Sequence, residues 1–240
     1  MKPKHFQLIG LFAILTIMLS SCWVLGPSVK GNGHVTEEVR KVGEFDQIEV
    51  SRGMNVYITQ GSPAKVVVVA DDNLHEYIET EVHDGVLKVY VNANISWASE
   101  KKVMVTIDKL AAVETSSGSN VWSQSQIMSE NLELKANAGS NLTLDVNAKY
   151  LTAECSSGAN IKLSGLAKDG KLETSSGANL KAEELKVDHC KMSASSGGNV
   201  ASTVTGALKA HASSGGNVYY YGEPTSIDID TSSGGGIHRK

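Results

Sequence analysis

Charged side chains that recur at a regular spacing are the residues of this chain best placed to do chemistry. They are Lys135, Glu154 and Glu173 in one series and Lys171, Lys191 and Lys209 in another, with members about 19 residues apart. Polysaccharide lyases and hydrolases need two or three carboxylates, or a carboxylate-bound calcium beside an Arg or Lys base, converging on one face. Opposite charges at strand spacing are instead the usual pattern of cross-strand ion pairs. Since no Arg lies between Arg52 and Arg239, we predict that the protein is not an enzyme, and a carbohydrate-active enzyme is the alternative.

Metal sites and activated nucleophiles are not indicated by the sequence. His189 and His211 have no partner at the spacing of metal ligands, and the turns lack the aspartates of calcium-binding solenoids. A serine nucleophile would need a histidine and an acid held beside it, and the sequence places neither there. We therefore predict no cofactor and no metal.

The N-terminal residues have the composition of a secretory signal. Lys2 and Lys4 precede an apolar run at 8–18 that is too short to span a bilayer, and Leu-Ser-Ser-Cys then ends at Cys22. This ending resembles the lipobox of bacterial lipoproteins, in which the cysteine is acylated. We therefore predict a signal peptide at 1–21 and lipidation of Cys22, with an ordinary signal peptide as the alternative.

The lipid on Cys22 would make a membrane one partner of the protein. Residue 23 is a tryptophan and not the aspartate that tends to hold lipoproteins at the inner membrane, so we expect the outer membrane and leave the leaflet open. Residues 22–43 are predicted to form the lipidated N-terminus and a flexible tether, because glycine and proline are frequent between 26 and 33.

Two further cysteines, Cys155 and Cys190, lie about two repeats apart. That is too far for a disulfide if repeats stack at strand spacing, so we predict two free, buried thiols.

The formal net charge of −4 becomes more negative when the signal is removed with its two lysines. Phosphate binding needs clustered basic residues, so we do not expect nucleic acid as a partner.

A five-residue motif, Ser-Ser-Gly-x-Asn, is repeated along the chain, and we call it the marker. It determines the secondary structure elements that position the charged residues named above. Its glycines and asparagines are Gly118, Asn120, Gly139, Asn141, Gly158, Asn160, Gly177, Asn179, Gly197, Asn199, Gly215, Asn217 and, without an asparagine, Gly234. Successive glycines are 21, 19, 19, 20, 18 and 19 residues apart, a period typical of solenoids. Disordered linkers have a similar composition, but an apolar residue stands five before and three after every marker glycine. That regularity favours an ordered solenoid.

We interpret the marker as a structural turn. Glycine supplies the positive φ of a sharp corner, and asparagine tolerates the left-handed region. Asparagines stacked in a column can also form hydrogen bonds from one repeat to the next. The serines and asparagines are thus explained by bending and stacking, without a ligand.

Apolar and polar residues alternate at period two on both sides of the marker, as at 132–136 and 142–146. Each repeat is therefore a strand, a tight corner and a second strand. Because the same columns recur in every repeat, each strand lies beside its counterpart in a parallel sheet, and right-handed winding is the default. We predict an all-β domain at 44–240, a right-handed parallel β-helix with about 19 residues per rung and regular rungs at 110–240.

Residues 44–109 are predicted to form irregular N-terminal rungs. Gly53 and Asn55 occupy the marker columns, so an earlier rung surrounds them, and the 65 residues from Gly53 to Gly118 leave room for about two unmarked rungs. Strands are predicted at 65–70, 86–91 and 102–107, a short helical turn at 72–78, and a loop at 92–100 that carries Trp97.

The order of these motifs resembles one family closely. The lipobox is followed by Phe-Asp-Gln-Ile-Glu-Val at 45–50, Asp-Asp-Asn-Leu at 71–74, Asp-Gly-Val-Leu-Lys-Val at 84–89 and then the Ser-Ser-Gly repeats. This resembles, over about residues 44–240, the family called putative auto-transporter adhesin, head GIN domain, of Bacteroidota-type bacteria. The resemblance implies a β-helix of the pectin-lyase kind and a role in adhesion, and it implies no catalytic residues.

A rigid solenoid with a long outer surface is suited to binding. Exposed aromatic rings are the expected contacts, and the pattern turns Trp122, Tyr219 and Tyr221 outward and leaves Trp97 in a loop. The predicted ligand is a glycan or an envelope or host protein, and a purely structural envelope role is a further alternative. Strands at an open C-terminal end leave backbone groups unpaired, so either the charged tail at 238–240 covers this end or two copies pair through it.

Overall fold

The structure is a computed structural model that describes residues 28–240. The predicted signal peptide at 1–21 and the predicted lipidation site Cys22 lie outside these residues. The described chain is all-β, with 67% strand and 3% helix, and its parallel coils of about 19 residues form a solenoid of about 7 turns. The predicted β-helix is confirmed.

The strands of the regular rungs follow the marker columns. They are β10 (Ala112–Thr115), β11 (Asn120–Ser123), β12 (Ile127–Ala136), β13 (Asn141–Cys155), β14 (Asn160–Thr174), β15 (Asn179–Ala194), β16 (Asn199–Ala212), β17 (Asn217–Tyr221), β18 (Ser226–Thr231) and β19 (Gly236–Arg239). Neighbouring rungs pair in parallel and in register, so that Asn141 lies beside Asn160 and Cys155 beside Thr174. Within β13 the burial alternation slips at Lys149 and Tyr150, which are both exposed. A second, smoother corner of the rung lies there.

The tight corner is built by two residues in the left-handed region. At the first regular rung they are Ser117 (φ 50°) and Gly118 (φ 71°), and the same pair of positions is left-handed at every later marker. The N–H of Ser119 donates to the carbonyl of Ser116 at 3.1 Å, as in a turn of type I′. Glycine takes the predicted positive φ, but the second left-handed residue is the serine before it and not the asparagine.

The core is a set of apolar columns that run the length of the solenoid. The column three residues after the marker glycine is at most 1% exposed in its first six rungs, at Val121, Leu142, Ile161, Leu180, Val200 and Val218. Burying one such side chain stabilises the fold by roughly 1.5–3 kcal/mol. Each rung therefore depends on its two neighbours to cover its interior.

The N-terminal part of the described chain, at 28–109, is built differently. It contains β1 (Ser28–Lys30), β2 (Val35–Arg40), β3 (Gln47–Val50), β4 (Asn55–Gln60), β5 (Lys65–Asp71), a 3₁₀ helix (Asp72–Tyr77), β6 (Ile78–His83), β7 (Val86–Val91), β8 (Asn94–Trp97) and β9 (Lys101–Ile107). The strands predicted at 65–70, 86–91 and 102–107 and the helical turn are therefore present. Residues 28–40, predicted to be flexible tether, instead form two strands, and the predicted loop around Trp97 contains β8.

The prediction of about two unmarked rungs between Gly53 and Gly118 is wrong. β3 pairs directly with β10, and β4 pairs directly with β11, so the rung around Gly53 stacks on the rung around Gly118. The chain between them turns back to the outer side of the Gly53 rung. There β7 adds to β3 and β9 adds to β4 in parallel, and antiparallel β6, β5 and β2 complete the end. We call residues 28–46 and 61–109 the N-terminal cap.

Among residues 28–240, no helix is both long enough and apolar enough to cross a membrane.

Candidate binding surface

Two outward faces flank the tight corner of the rungs. The charged face is formed by the strands that precede the marker, and the aromatic face by the strands that follow it. On both faces the outward residues of successive rungs lie side by side near the corner, because the register there is the same from rung to rung. The register shifts in the β14–β15 and β15–β16 pairs lie further from the corner. A residue type that recurs at one column therefore forms a row along the solenoid.

The charged face carries ion pairs between residues of opposite sign. Lys171 Nζ lies 2.7 Å from Glu173 Oε2, and Lys209 Nζ lies 3.1 Å from Asp228 Oδ2. His211 Nδ1 forms a hydrogen bond with Asp230 Oδ2 at 3.0 Å. The hydrogen bond to Glu173 raises the pKa of Lys171. Of the candidates that the sequence suggested for chemistry, Lys171, Glu173 and Lys209 are thus engaged in ion pairs, and Lys135 pairs with Glu133.

Glu154 and Glu173 are paired in register on adjacent rungs, but their neighbours are lysines and serines of the same face. In residues 28–240 no group of three or more histidine, cysteine or acidic side chains is placed to hold a metal ion. The arrangement is that of a solvated sheet surface with balanced charge, which suits binding better than acid–base catalysis.

The marker asparagines form a continuous ladder along the corner. The side-chain amide of each donates to the side-chain carbonyl of the asparagine one rung before it, at 3.0, 2.8, 3.0, 3.3, 3.1 and 3.1 Å for Asn120, Asn141, Asn160, Asn179, Asn199 and Asn217. The first acceptor is Asn55, which shows that the early rung belongs to the same ladder. Each internal asparagine donates one hydrogen bond and accepts one within the ladder, and the role of the ladder is to hold the rungs together.

One row of the aromatic face carries rings at both of its ends. The row lies four residues after each corner glycine and consists of Tyr57, Trp122, Thr143, Lys162, Lys181, Ala201, Tyr219 and His238. The Tyr57 and Trp122 rings are stacked, with centroids 4.9 Å apart and planes 18° apart. The Tyr219 and His238 rings are stacked in the same way at 5.2 Å and 23°.

The four aromatic residues predicted to bind do not converge on one point. Trp122 and Tyr219 share the row, five rung steps and about 24 Å apart at strand spacing. Tyr221 lies on β17 two residues after Tyr219, in the next outward column, and is half-buried. Trp97 lies on the N-terminal cap at the end of β8, where its side chain is 48% exposed.

The sequence-based prediction missed the partner ring of each stack. Tyr57 follows Gly53, and His238 follows Gly234, by the same four residues that separate Trp122 from Gly118. The signal was therefore available in the columns. The Tyr57–Trp122 pair becomes visible only when the Gly53 rung is stacked directly on the Gly118 rung, whereas Tyr219 and His238 lie on successive marker rungs.

A shallow groove of about 570 Å³ runs along the second corner of the rungs. Tyr150, which is 44% exposed, lies at one end, and Asp169, His189 and Lys191 line its rim. His189 Nδ1 lies 3.4 Å from Asp169 and 3.5 Å from Asp188. The groove offers one ring and a mixture of charges, without a set of groups that converge on a reacting atom.

Asp71 is a buried carboxylate that the sequence-based prediction did not single out. It is 0% exposed and accepts hydrogen bonds from the backbone N–H groups of Gly33 at 2.8 Å, Ser99 at 3.1 Å and Glu100 at 3.2 Å. Burial alone would raise the pKa of this carboxyl, but the backbone donors outweigh it and the pKa is lowered. A Cβ on Gly31 would meet the Asp71 carboxylate, so glycine is needed there. Asp71 thus fastens the first described residues and the 98–100 segment to β5.

The two cysteines are free and buried, as predicted. Desolvation raises the pKa of Cys155 to about 11 and that of Cys190 to about 12. A thiol is a nucleophile only as the thiolate, so neither sulfur is activated for chemistry at neutral pH.

The fold of this chain is similar to those of several solved bacterial proteins. A putative adhesin from Bacteroides fragilis NCTC 9343 is 19% identical with a TM-score of 0.82, covering 88% of this chain and 100% of that one. A putative adhesin from Parabacteroides distasonis ATCC 8503 is 25% identical with a TM-score of 0.68, covering 89% of this chain and 100% of that one. A putative lipid binding protein from the same organism is 17% identical with a TM-score of 0.66, with coverage of 89% and 100%.

The sequence matches no curated protein. A family model described as putative auto-transporter adhesin, head GIN domain, matches residues 44–224, which is most of the chain. The chain belongs to this adhesin family.

Proposed function

We propose that this protein is a non-catalytic adhesion protein of the cell envelope that binds its partner through the aromatic face. The observation that carries the proposal is the row with a stacked ring pair at each end and Lys162 and Lys181 between them. Aromatic rings dominate the energy of many protein interfaces. The family and two of the similar structures are named as adhesins, which supports a binding role in general.

The orientation of the rings favours a protein partner over a glycan. Sugars stack on the exposed face of an aromatic ring, whereas the Tyr57 and Trp122 rings cover one face of each other. The stacked rings and the two lysines of the row suit a protein surface with carboxylates and apolar side chains. Glycan binding is the competing outcome of the test below.

The test compares matched variants of the two faces. The variant Trp122→Ala with Tyr219→Ala removes one ring from each stack, and Lys171→Ala with Lys191→Ala is the control on the charged face. Against fractionated envelope proteins in surface plasmon resonance, we expect the aromatic variant to lose roughly tenfold or more in affinity and the control to bind as the wild type does. Binding that survives ring removal would contradict the proposal, and ring-dependent binding on a glycan array alone would favour the glycan.

A carbohydrate-active enzyme and a purely structural protein are the competing functions. Glu154 and Glu173 are the acids to test for the enzyme, since they are paired on adjacent rungs. Turnover of a polyuronate that is abolished by Glu154→Gln with Glu173→Gln would establish catalysis and overturn the proposal. Absence of any ligand for either face, with loss of envelope integrity on deletion, would favour the structural role.

We place the protein at the outer membrane through a lipid on Cys22. The sequence pattern at 1–22 supports this, and the name of the similar lipid binding protein from Parabacteroides distasonis agrees with a location at a lipid surface. Mass spectrometry of the mature protein tests the anchor, because an acylated cysteine at its N-terminus is expected. A mature N-terminus without acyl chains would contradict it.

We further propose that two copies pair through β18. Its Ile227 and Ile229 are 48% and 52% exposed, although Leu208 and Ala210, which occupy the same columns one rung earlier, are each 2% exposed. Among residues 28–240, the register pairs β18 with one strand, β16. Analytical ultracentrifugation tests the pairing: a dimer that Ile229→Lys dissociates is expected, and a strict monomer would contradict it.

A further inference from the structure

The first described strand forms a small ribbon on the N-terminal cap. β1 pairs in parallel with β8, apart from the main sheet, with Val29 beside Ile95 and Lys30 beside Trp97. Val29 and Ile95 are half-buried and pack against the core. Lys30 and Trp97 are exposed, so the ribbon has an inner apolar side and an outer side that carries one cation and one indole.

Trp97 is unusual on this surface. Its side chain is 48% exposed, and the ammonium of Lys30 lies 5.8 Å from the ring centroid. An exposed tryptophan beside a lysine is a combination enriched where proteins meet the headgroup region of a bilayer, because the indole is apolar with one polar N–H and the lysine contacts anionic headgroups.

The ribbon is fastened rigidly to the body of the protein. The backbone N–H of Gly33 donates to Asp71, and Asn73 accepts from the backbone N–H of Asn32 and donates to the carbonyl of Lys30. These contacts hold 30–33 against the start of the 3₁₀ helix. The ordered domain therefore begins at the ribbon, and the chain after Ser28 is held in place by these contacts.

The distance from the ribbon to the predicted anchor is short. Ser28 is six residues after Cys22, and six extended residues reach at most about 20 Å. If Cys22 is acylated, the ribbon lies within that distance of the lipid. The ribbon would then contact the bilayer even if its own affinity for lipid were too weak for binding without the anchor, because the anchor supplies a high effective concentration of bilayer.

We infer that the outer side of the β1–β8 ribbon, with Lys30 and Trp97, is a membrane-contact patch that seats the domain on the bilayer holding lipidated Cys22. This rests on the lipid anchor of the proposed function and deepens it. The N-terminal cap then stands on the lipid, and the rungs with the aromatic face stack away from it.

Tryptophan fluorescence of the full lipidated protein in vesicles tests the patch. The vesicles contain phosphatidylethanolamine and phosphatidylglycerol, with or without bromine on the acyl chains as a quencher. The chain has three tryptophans, so Trp23→Phe with Trp122→Phe leaves Trp97 as the reporter. The matched control, Trp23→Phe with Trp97→Phe, leaves Trp122.

We expect brominated lipid to reduce Trp97 emission roughly twofold and to leave Trp122 emission unchanged, because only the first ring contacts the interface. Adding Lys30→Glu to the Trp97 reporter is expected to weaken the quenching. Equal, negligible quenching of both reporters in protein that floats with the vesicles would overturn the patch and leave the anchor intact. Protein that does not float with the vesicles at all would overturn the anchor together with the patch.

Discussion

The regular rungs and the N-terminal cap are held together by different kinds of contact. In the rungs, each residue type repeats its contact one rung later, as the asparagine ladder and the apolar columns show. In the cap, antiparallel strands and a single buried carboxylate make contacts that occur once. The stability of the rungs is therefore spread over many equivalent contacts, whereas that of the cap depends on a few residues.

The largest expected effect is that of Asp71→Asn in the cap. The amide keeps one acceptor oxygen and turns its NH₂ toward backbone donors that the carboxylate had satisfied. Loss of two charge-assisted hydrogen bonds in a buried site is expected to lower the free energy of unfolding by about 3–5 kcal/mol. Urea unfolding followed by circular dichroism measures the loss.

Glu173→Gln is the matched control in the rungs. It makes the same chemical change on the charged face, where the Lys171–Glu173 ion pair is open to water, and we expect a loss of at most about 0.5 kcal/mol. Equal losses of unfolding free energy for Asp71→Asn and Glu173→Gln would contradict the conclusion that the stability of the cap depends on a few residues.

Acid unfolding gives an independent measure of Asp71. Its pKa in the folded protein is lowered below the ordinary value of 3.8, so its contribution to stability is complete above about pH 4 and is lost as the pH falls through the folded value. The difference in unfolding free energy between the wild type and Asp71→Asn should therefore shrink below about pH 4. A difference that grows on acidification would contradict the lowered pKa.

The same contrast explains which parts of the fold could be predicted from the sequence. The rungs could be predicted because each column gives several copies of one observation. Three strands of the cap, β5, β7 and β9, were also recognised, whereas β1, β2, β6 and β8 were not. The antiparallel neighbours of β5 and β6 are indicated by no repeated column. The distance from Gly53 to Gly118 was interpreted as continuous winding, although Asp84-Gly85 between β6 and β7 is a hairpin signal.

A smaller loss of stability is expected when an asparagine of the ladder is replaced by alanine, and the loss should depend on whether the asparagine is internal or terminal in the ladder. Asn160 donates to Asn141 and accepts from Asn179, at 3.0 and 3.3 Å, and Asn160→Ala removes both bonds. We expect a loss of about 1–2 kcal/mol in the free energy of unfolding, from about 0.5–1 kcal/mol for each bond.

Asn55→Ala is the control at the first position of the ladder. Within the ladder Asn55 accepts one bond, from Asn120 at 3.0 Å, so its loss should be about half as large. Urea midpoints of the two variants give the comparison. Equal losses would show that the ladder contributes through conformation at the corner and not through its hydrogen bonds.

The candidate binding surface could be predicted in part. Trp122 and Tyr219 were recognised as outward residues because their columns alternate with buried ones, as Val121 and Val218 show. Tyr57 was missed because its rung was not expected to stack on the Gly118 rung, which lies across the gap in the repeat. His238 lies on the rung directly after that of Tyr219, so its column could have been recognised from the sequence. Trp97 was placed in a loop, since the four residues of β8 are too few to show a period.

The smallest expected effect is the coupling within surface ion pairs, and it should be the same in both regions. Lys171 and Glu173 in the rungs are 2.7 Å apart, and Lys102 and Glu100 in the cap are 2.8 Å apart, with similar exposure of about a third. Double-mutant cycles with alanine at each pair should give coupling energies of at most about 0.5 kcal/mol, because solvent screens both pairs. A much stronger coupling in the cap would mean that surface charge, and not the buried Asp71 alone, distinguishes the two regions.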